Sequence, residues 1–186
     1  MVIRDIDVKV PVSDVTINNN NLIFTDDLNT DVSCKSGVSY PHATITWSIN
    51  GGKNVGIGTT SNNSDGTTTS ILQYTADKSD NNKILQCTAT NGYGTPKTDS
   101  ITLDIRFLPG VHIEPSTNPY KVIEGKQLVL TCSVDESNPS VPSDGFTWRK
   151  NGIDVTGQRS SIYRVESVQI SDNGSYTCTA TNDVGP

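Results

Sequence analysis

Residues 163–182 read YRVESVQISDNGSYTCTATN, and this stretch decides the fold. Tyr163 and Val165 alternate onto one side of an extended segment that Val168 closes, the period of a half-buried strand. A polar corner follows at Asp172-Asn173-Gly174, where glycine takes backbone conformations that other residues resist. The chain then re-enters a strand through Tyr176 and Cys178. A tyrosine two residues before a cysteine, just past such a corner, is placed to bond its hydroxyl back to upstream backbone. Asp172 is placed to pair with a basic side chain, and Arg159 and Arg164 are the two candidates.

The end of that stretch occurs twice. Residues 84–91 read ILQCTATN, so Thr88-Ala89-Thr90-Asn91 after Cys87 recurs as Thr179-Ala180-Thr181-Asn182 after Cys178. Upstream, Cys34 precedes Trp47 in one half, and Cys132 precedes Trp148 in the other. Each half is therefore a Cys…Trp…Cys series set among short alternating segments. The first half lacks the tyrosine corner: Leu85 stands two residues before Cys87, and its turn is Asp80-Asn81-Asn82-Lys83. Thr44–Trp47, Ser70–Tyr74 and Ile84–Cys87 read as its strands, and Asn50 to Ser70, rich in Gly, Ser, Thr and Asn, reads as exposed loops and an edge.

Composition agrees with an all-β chain. Of 186 residues, 33% are hydrophobic and 18% charged. The remainder is crowded with Thr, Ser, Asn and Asp, which favour strands and turns over helices. No apolar pattern of helical period is sustained. Fourteen basic against 20 acidic side chains give a net charge of −6 with no basic stripe. Nucleic acid and anionic membrane surfaces are thus excluded as partners on electrostatic grounds, and no apolar run is long enough to insert in a bilayer.

The four cysteines show no C-x-x-C pair, and His42 and His112 stand far from them, so no metal site is expected. Asp26-Asp27…Asp31 fits no calcium loop. No nucleophile elbow, phosphate loop, dinucleotide fingerprint or zinc-protease motif occurs, so neither an enzyme nor a cofactor is expected.

Over nearly its full length the chain resembles immunoglobulin-superfamily cell-surface proteins. Residues 124–152 (EGKQLVLTCSVDESNPSVPSDGFTWRKNG) with 172–185 (DNGSYTCTATNDVG) resemble C2/I-type domains of hemicentin-like and sialoadhesin-like ectodomains. Pro41, Ile45-Thr46-Trp47 and residues 84–91 resemble C2-type domains of nephrin-like and nectin-like adhesion proteins. The resemblance implies two tandem immunoglobulin-like Greek-key β-sandwiches, with Cys34 joined to Cys87 and Cys132 to Cys178 across each core. Trp47 and Trp148 cover the bridges, and Tyr176 and Asp172 serve the second scaffold. Closing a loop of roughly 50 residues stabilises each unit by about 3–5 kcal/mol on the chain-entropy account.

The expected division is 11–108 for the first domain and 109–186 for the second, which lacks its last strand. Residues 1–10 are expected to be an N-terminal extension or the last strand of a preceding domain, because Ile6-Asp7-Val8-Lys9-Val10-Pro11 resembles Leu103-Asp104-Ile105-Arg106-Phe107 and Pro109. Leu103-Asp104-Ile105 is similar to an integrin-binding tripeptide, but its place in a strand sets that reading aside. Asn62 and Asn173 begin N-glycosylation sequons. Function is expected to be extracellular recognition or adhesion by an ectodomain that binds another cell-surface protein, homophilic or heterophilic. The alternative is a soluble immune-recognition or matrix protein of the same domains. The G-F-C sheet face of the first domain, made by its last strand with the strands of Cys87 and Trp47, and its Asn50–Ser70 stretch are the expected contact surface.

Overall fold

The structure, a computed structural model, describes residues 3–18, 22–56 and 58–186. The chain divides into two compact units between Ile105 and Arg106.

The first unit contains β1 (Val15–Asn18), β2 (Phe24–Thr25), β3 (Asn29–Ser36), β4 (Thr44–Ile49), β5 (Lys53–Gly56), β6 (Thr59–Asn62), β7 (Thr68–Thr75), β8 (Ile84–Thr90) and β9 (Lys97–Thr102). One sheet has the order β1-β3-β7-β6 and the other β5-β4-β8-β9. The chain passes between the sheets from β3 to β4, back from β5 to β6, and again from β7 to β8. Strict alternation drives this arrangement: Val32, Cys34, Ile45, Trp47, Leu85, Cys87 and Ala89 all face inward with no exposed surface. Asp99 of β9 accepts the Ile17 N–H of β1 at 2.8 Å, which ties the two sheets along one edge.

The second unit contains β10 (Ile105–Glu114), β11 (Leu128–Asn138), β12 (Phe146–Lys150), β13 (Ile153–Asp154), β14 (Ile162–Val165) and β15 (Tyr176–Ala180). Its sheets run β14-β11-β10 and β13-β12-β15. Leu128, Leu130, Cys132, Phe146, Trp148 and Ala180 form its core. β10 continues as one strand through Pro109-Gly110 and bulges there against β11.

Residues 3–9 lie outside any strand within this chain, and Val10 makes an isolated bridge to Tyr40. Met1 and Val2 lie outside the described residues. The Asn50–Ser70 stretch is less open than its composition suggests. It supplies β5, β6 and the start of β7, and Thr67, Thr68 and Ser70 are buried. Ser70 is inside because the buried Trp47 indole N–H needs an acceptor, and it donates to Ser70 Oγ at 3.0 Å.

Candidate recognition surface

Both disulfides form as the cysteine pattern requires, Cys34–Cys87 and Cys132–Cys178, with Cα separations of 6.7 and 6.1 Å. In each unit tryptophan stands directly opposite the second cysteine across paired strands, Trp47 against Cys87 and Trp148 against Cys178. Trp148 also donates its indole N–H to the Ser160 carbonyl at 2.9 Å. Tyr163 and Tyr176 continue the aromatic stack, with centroid distances of 5.5 Å from Trp148 to Tyr163 and 5.3 Å from Tyr163 to Tyr176.

The tyrosine corner of the second unit is in place, for Tyr176 Oη donates to the Asp172 carbonyl at 2.8 Å. Gly174 has φ 154°, and a Cβ there would lie 2.5 Å from Asn151 Oδ1. Asp172 pairs with Lys150 at 3.2 Å, not with Arg159 or Arg164. Lys150 lies opposite Tyr176 in the β12–β15 register, which carries its ammonium past the ring to the corner. The Gln169 N–H, and then Lys150, hold the Asp172 carboxyl below its usual range.

Sequence reading missed two features of the first unit. Its corner is closed by a tyrosine from β7: Tyr74 Oη donates to the buried Asp80 at 3.0 Å, and Lys83 pairs with the same carboxylate at 2.8 Å. The repeated asparagine that ends each T-A-T-N run is a clamp. Asn91 Nδ2 donates to the Val10 and Pro41 carbonyls at 2.8 and 3.0 Å. Asn182 Nδ2 donates to those of Phe107 and Pro139 at 2.8 and 2.9 Å. The repetition of T-A-T-N was the available signal.

Other motifs take scaffold roles. Leu103 and Ile105 are wholly buried, which leaves only Asp104 of the tripeptide at the surface. Asp26 accepts the Lys78 N–H at 2.7 Å, as a turn cap does. An open cavity of about 430 Å³ in the second unit is walled by Ile113, Leu128, Leu130, Val168 and Tyr176. Neither histidine nor cysteine lines it, and its one carboxylate, Asp172, is already held by Lys150.

The outer face of β4, β8 and β9 carries no charge at its paired positions. Residues paired across antiparallel strands share a face, so the registers place Thr44, Thr46 and Ser48 beside Thr90, Thr88 and Gln86. Thr102, Ser100 and Thr98 continue beyond Ile84, Gln86 and Thr88. Not one of these side chains is charged, and all are exposed or half-buried. The opposite sheet of the same unit carries Asp31 and Lys35 outward on β3, and the second unit's β12 and β13 carry an Arg149–Asp154 pair at 2.6 Å.

The match to known proteins follows the same division. A model for the CD80-like C2-set immunoglobulin domain matches residues 11–97, and one for the immunoglobulin domain matches residues 109–182. The chain belongs to the immunoglobulin superfamily. Cell adhesion molecule 2 of Xenopus tropicalis is 30% identical over 165 residues, covering 83% of this chain and 37% of that protein. The B-cell receptor CD22 of Mus musculus is 27% identical over 125 residues, covering 64% of this chain and 14% of that protein. This immunoglobulin chain therefore spans only a minor part of those relatives. Two solved structures share its fold. The ectodomain of mouse nectin-like molecule 4 superposes with a TM-score of 0.63 at 23% identity, over 96% of this chain and 62% of that one. The first two immunoglobulin domains of DIP-gamma give 0.64 at 20% identity, over 93% and 92%.

Proposed function

We propose that this chain is part of an extracellular adhesion or recognition protein displayed at the cell surface, and that it binds another cell-surface protein, of its own kind or a different one. The uncharged outer face of β4, β8 and β9 carries the reading. Interface cores are depleted of charge, and a molecule of net charge −6 approaches an acidic partner most easily where it presents no carboxylate. Threonine-rich strands supply a stiff, flat surface of hydroxyl and methyl groups, and Ile84 adds an apolar side chain at 47% exposure. Asn62 lies in β6, at the edge of the opposite sheet, so a glycan there would leave this face clear. The relationship to cell adhesion molecule 2, an adhesion protein by name, supports the same reading.

The test is aggregation of beads coated with the chain, with binding of the soluble chain to arrayed cell-surface proteins as the second arm. Thr88→Arg should weaken the binding found by about tenfold or more, while Gln73→Arg on the opposite sheet leaves it intact. The reverse ranking, or no binding in either arm, overturns the proposal.

A further inference from the structure

Four asparagines of this chain stand directly before a glycine: Asn50, Asn91, Asn151 and Asn173. An asparagine so placed is open to loss of its amide. The next backbone nitrogen belongs to a residue with no Cβ, so it meets little hindrance when it attacks the side-chain carbonyl carbon. The attack needs a side chain free to turn and a glycine N–H not committed elsewhere.

The fold ties down three of the four. Asn50 Oδ1 accepts the Ile84 N–H at 3.0 Å, and the Asn50 N–H donates to the Ile84 carbonyl at 2.9 Å. Asn151 makes the same two bonds to Ser175, at 2.9 and 2.8 Å. Asn91 is held at both ends of its amide, by the Val10 and Pro41 carbonyls and by the Tyr93 N–H, and the Gly92 N–H donates to Thr90 Oγ1 at 3.2 Å.

Asn173 differs from them. It is exposed at the end of the Ile170–Asp172 turn. Among the described residues, neither its side-chain amide nor the Gly174 N–H has a hydrogen-bond partner. No bulkier residue fits after it, because a Cβ on Gly174 would lie 2.5 Å from Asn151 Oδ1. The oxygen that holds Asn151 in place thus also keeps the neighbour of Asn173 a glycine.

We propose that Asn173 is a site of spontaneous deamidation, and that a glycan on the same residue protects it. The Gly174 nitrogen bonds to Asn173 Cγ and gives up its proton, and the side-chain nitrogen leaves as ammonia. Water then opens the five-membered imide. Opening at one carbonyl gives aspartate, and opening at the other gives isoaspartate, with the main chain rerouted through the former side chain. Sugar transfer to the Asn173-Gly174-Ser175 sequon uses the same Nδ2. An occupied sequon therefore has no free amide to lose, and a deamidated one has no nitrogen to receive a sugar. Either product sets a new carboxylate beside Asp172. Isoaspartate also adds a methylene to a corner pinned on both sides, by Tyr176 Oη at the Asp172 carbonyl and by Asn151 at the Ser175 N–H. The recognition face plays no part in this chemistry.

The full chain, made with its disulfides in a host that adds no glycan and aged in mildly alkaline buffer, tests the proposal by peptide mapping. Conversion is read as the mass step from amide to acid and as labelling by an isoaspartyl methyltransferase. At Asn173 it should run about tenfold or more faster than at Asn50, Asn91 or Asn151. In the reduced, denatured chain the four rates should draw together, because the bonds that separate them are gone. Asn173→Gln should abolish the fast step, and the Asn173 glycopeptide from a secretory host should show no conversion. A folded chain in which any of the other three converts as fast overturns the proposal. So does a product free of isoaspartate, or a spread of rates that survives unfolding.

Discussion

Tyr74 and Asp80 meet at 3.0 Å inside the first unit, phenol to carboxylate, and both are almost wholly buried. Burial and then Asp80 raise the tyrosine above its ordinary pKa, so the phenol stays a donor. This pair closes the corner that Tyr176 closes in the second unit, from the neighbouring sheet. Tyr74→Phe removes the phenol donor from Asp80 Oδ2, while the Lys83 pair on the other oxygen stays. The expected cost is about 1.5–3 kcal/mol. Urea denaturation checks it, and a loss under about 0.5 kcal/mol would mean that water replaces the phenol.

What the sequence made legible was whatever a short segment or a repeated spacing encodes. Cysteines 34, 87, 132 and 178, each pair straddling a tryptophan, disclose opposed sheets because only a two-layer core brings those residues together. Tyr176 discloses its corner because the acceptor, the Asp172 carbonyl, is a local neighbour. Lys150 was hidden as the partner of Asp172, since the contact depends on the β12–β15 register and not on proximity along the chain. Ser70 was hidden for a similar reason. A hydroxyl among Thr and Asn reads as surface until the buried indole of Trp47 is known to point at it. The uncharged face needed two registers at once before the absence of charge on it became visible.

Asn182 should matter more than Asn91, although the two make the same pair of bonds to carbonyls. Each Oδ1 also accepts a backbone N–H, Val184 at 2.9 Å and Tyr93 at 3.2 Å, but Asn182 is buried whereas the Asn91 contacts are exposed. Water can replace the amide at the exposed site but not at the buried one. Asn182→Ala is expected to cost about 2–3 kcal/mol and Asn91→Ala about 1 kcal/mol. Asn182→Asp should be worse than Asn182→Ala, because it turns an acceptor toward the Phe107 and Pro139 carbonyls. Denaturation midpoints of the three variants give the order directly.

Asn62 and Asn173 should both carry glycans when the chain is made in a secretory host. Asn62 is exposed on the edge strand β6, with its Oδ1 accepting from Thr68 at 3.3 Å. Asn173 is exposed at the end of the 3-10 turn Ile170–Asp172. Each of Asn62→Gln and Asn173→Gln should remove one mass step that N-glycosidase also removes. Asn62→Gln should leave bead aggregation unchanged, because its strand belongs to the sheet opposite the proposed contact face. A gain in aggregation on losing that glycan would place the contact on the wrong sheet.

His112 gives the second unit a pH dependence whose sign follows from its neighbours. On β10 its Nδ1 lies 2.7 Å from Asp135 of β11, and its Nε2 lies 3.6 Å from Glu114 of its own strand. The hydrogen bond to Asp135, then Glu114, raises its pKa above the ordinary histidine value. A histidine that gains carboxylate partners on folding binds its proton more tightly in the native state. Its contribution is therefore complete below about pH 6.5, the unfolded value, and fades as pH rises through the raised native value. Melting temperature of the second unit should decline across that upper window, and His112→Gln should flatten the decline while leaving the first unit's transition in place. The side chain is about half exposed, so added salt should shrink the effect. A profile that slopes equally in wild type and His112→Gln would assign the dependence to other groups.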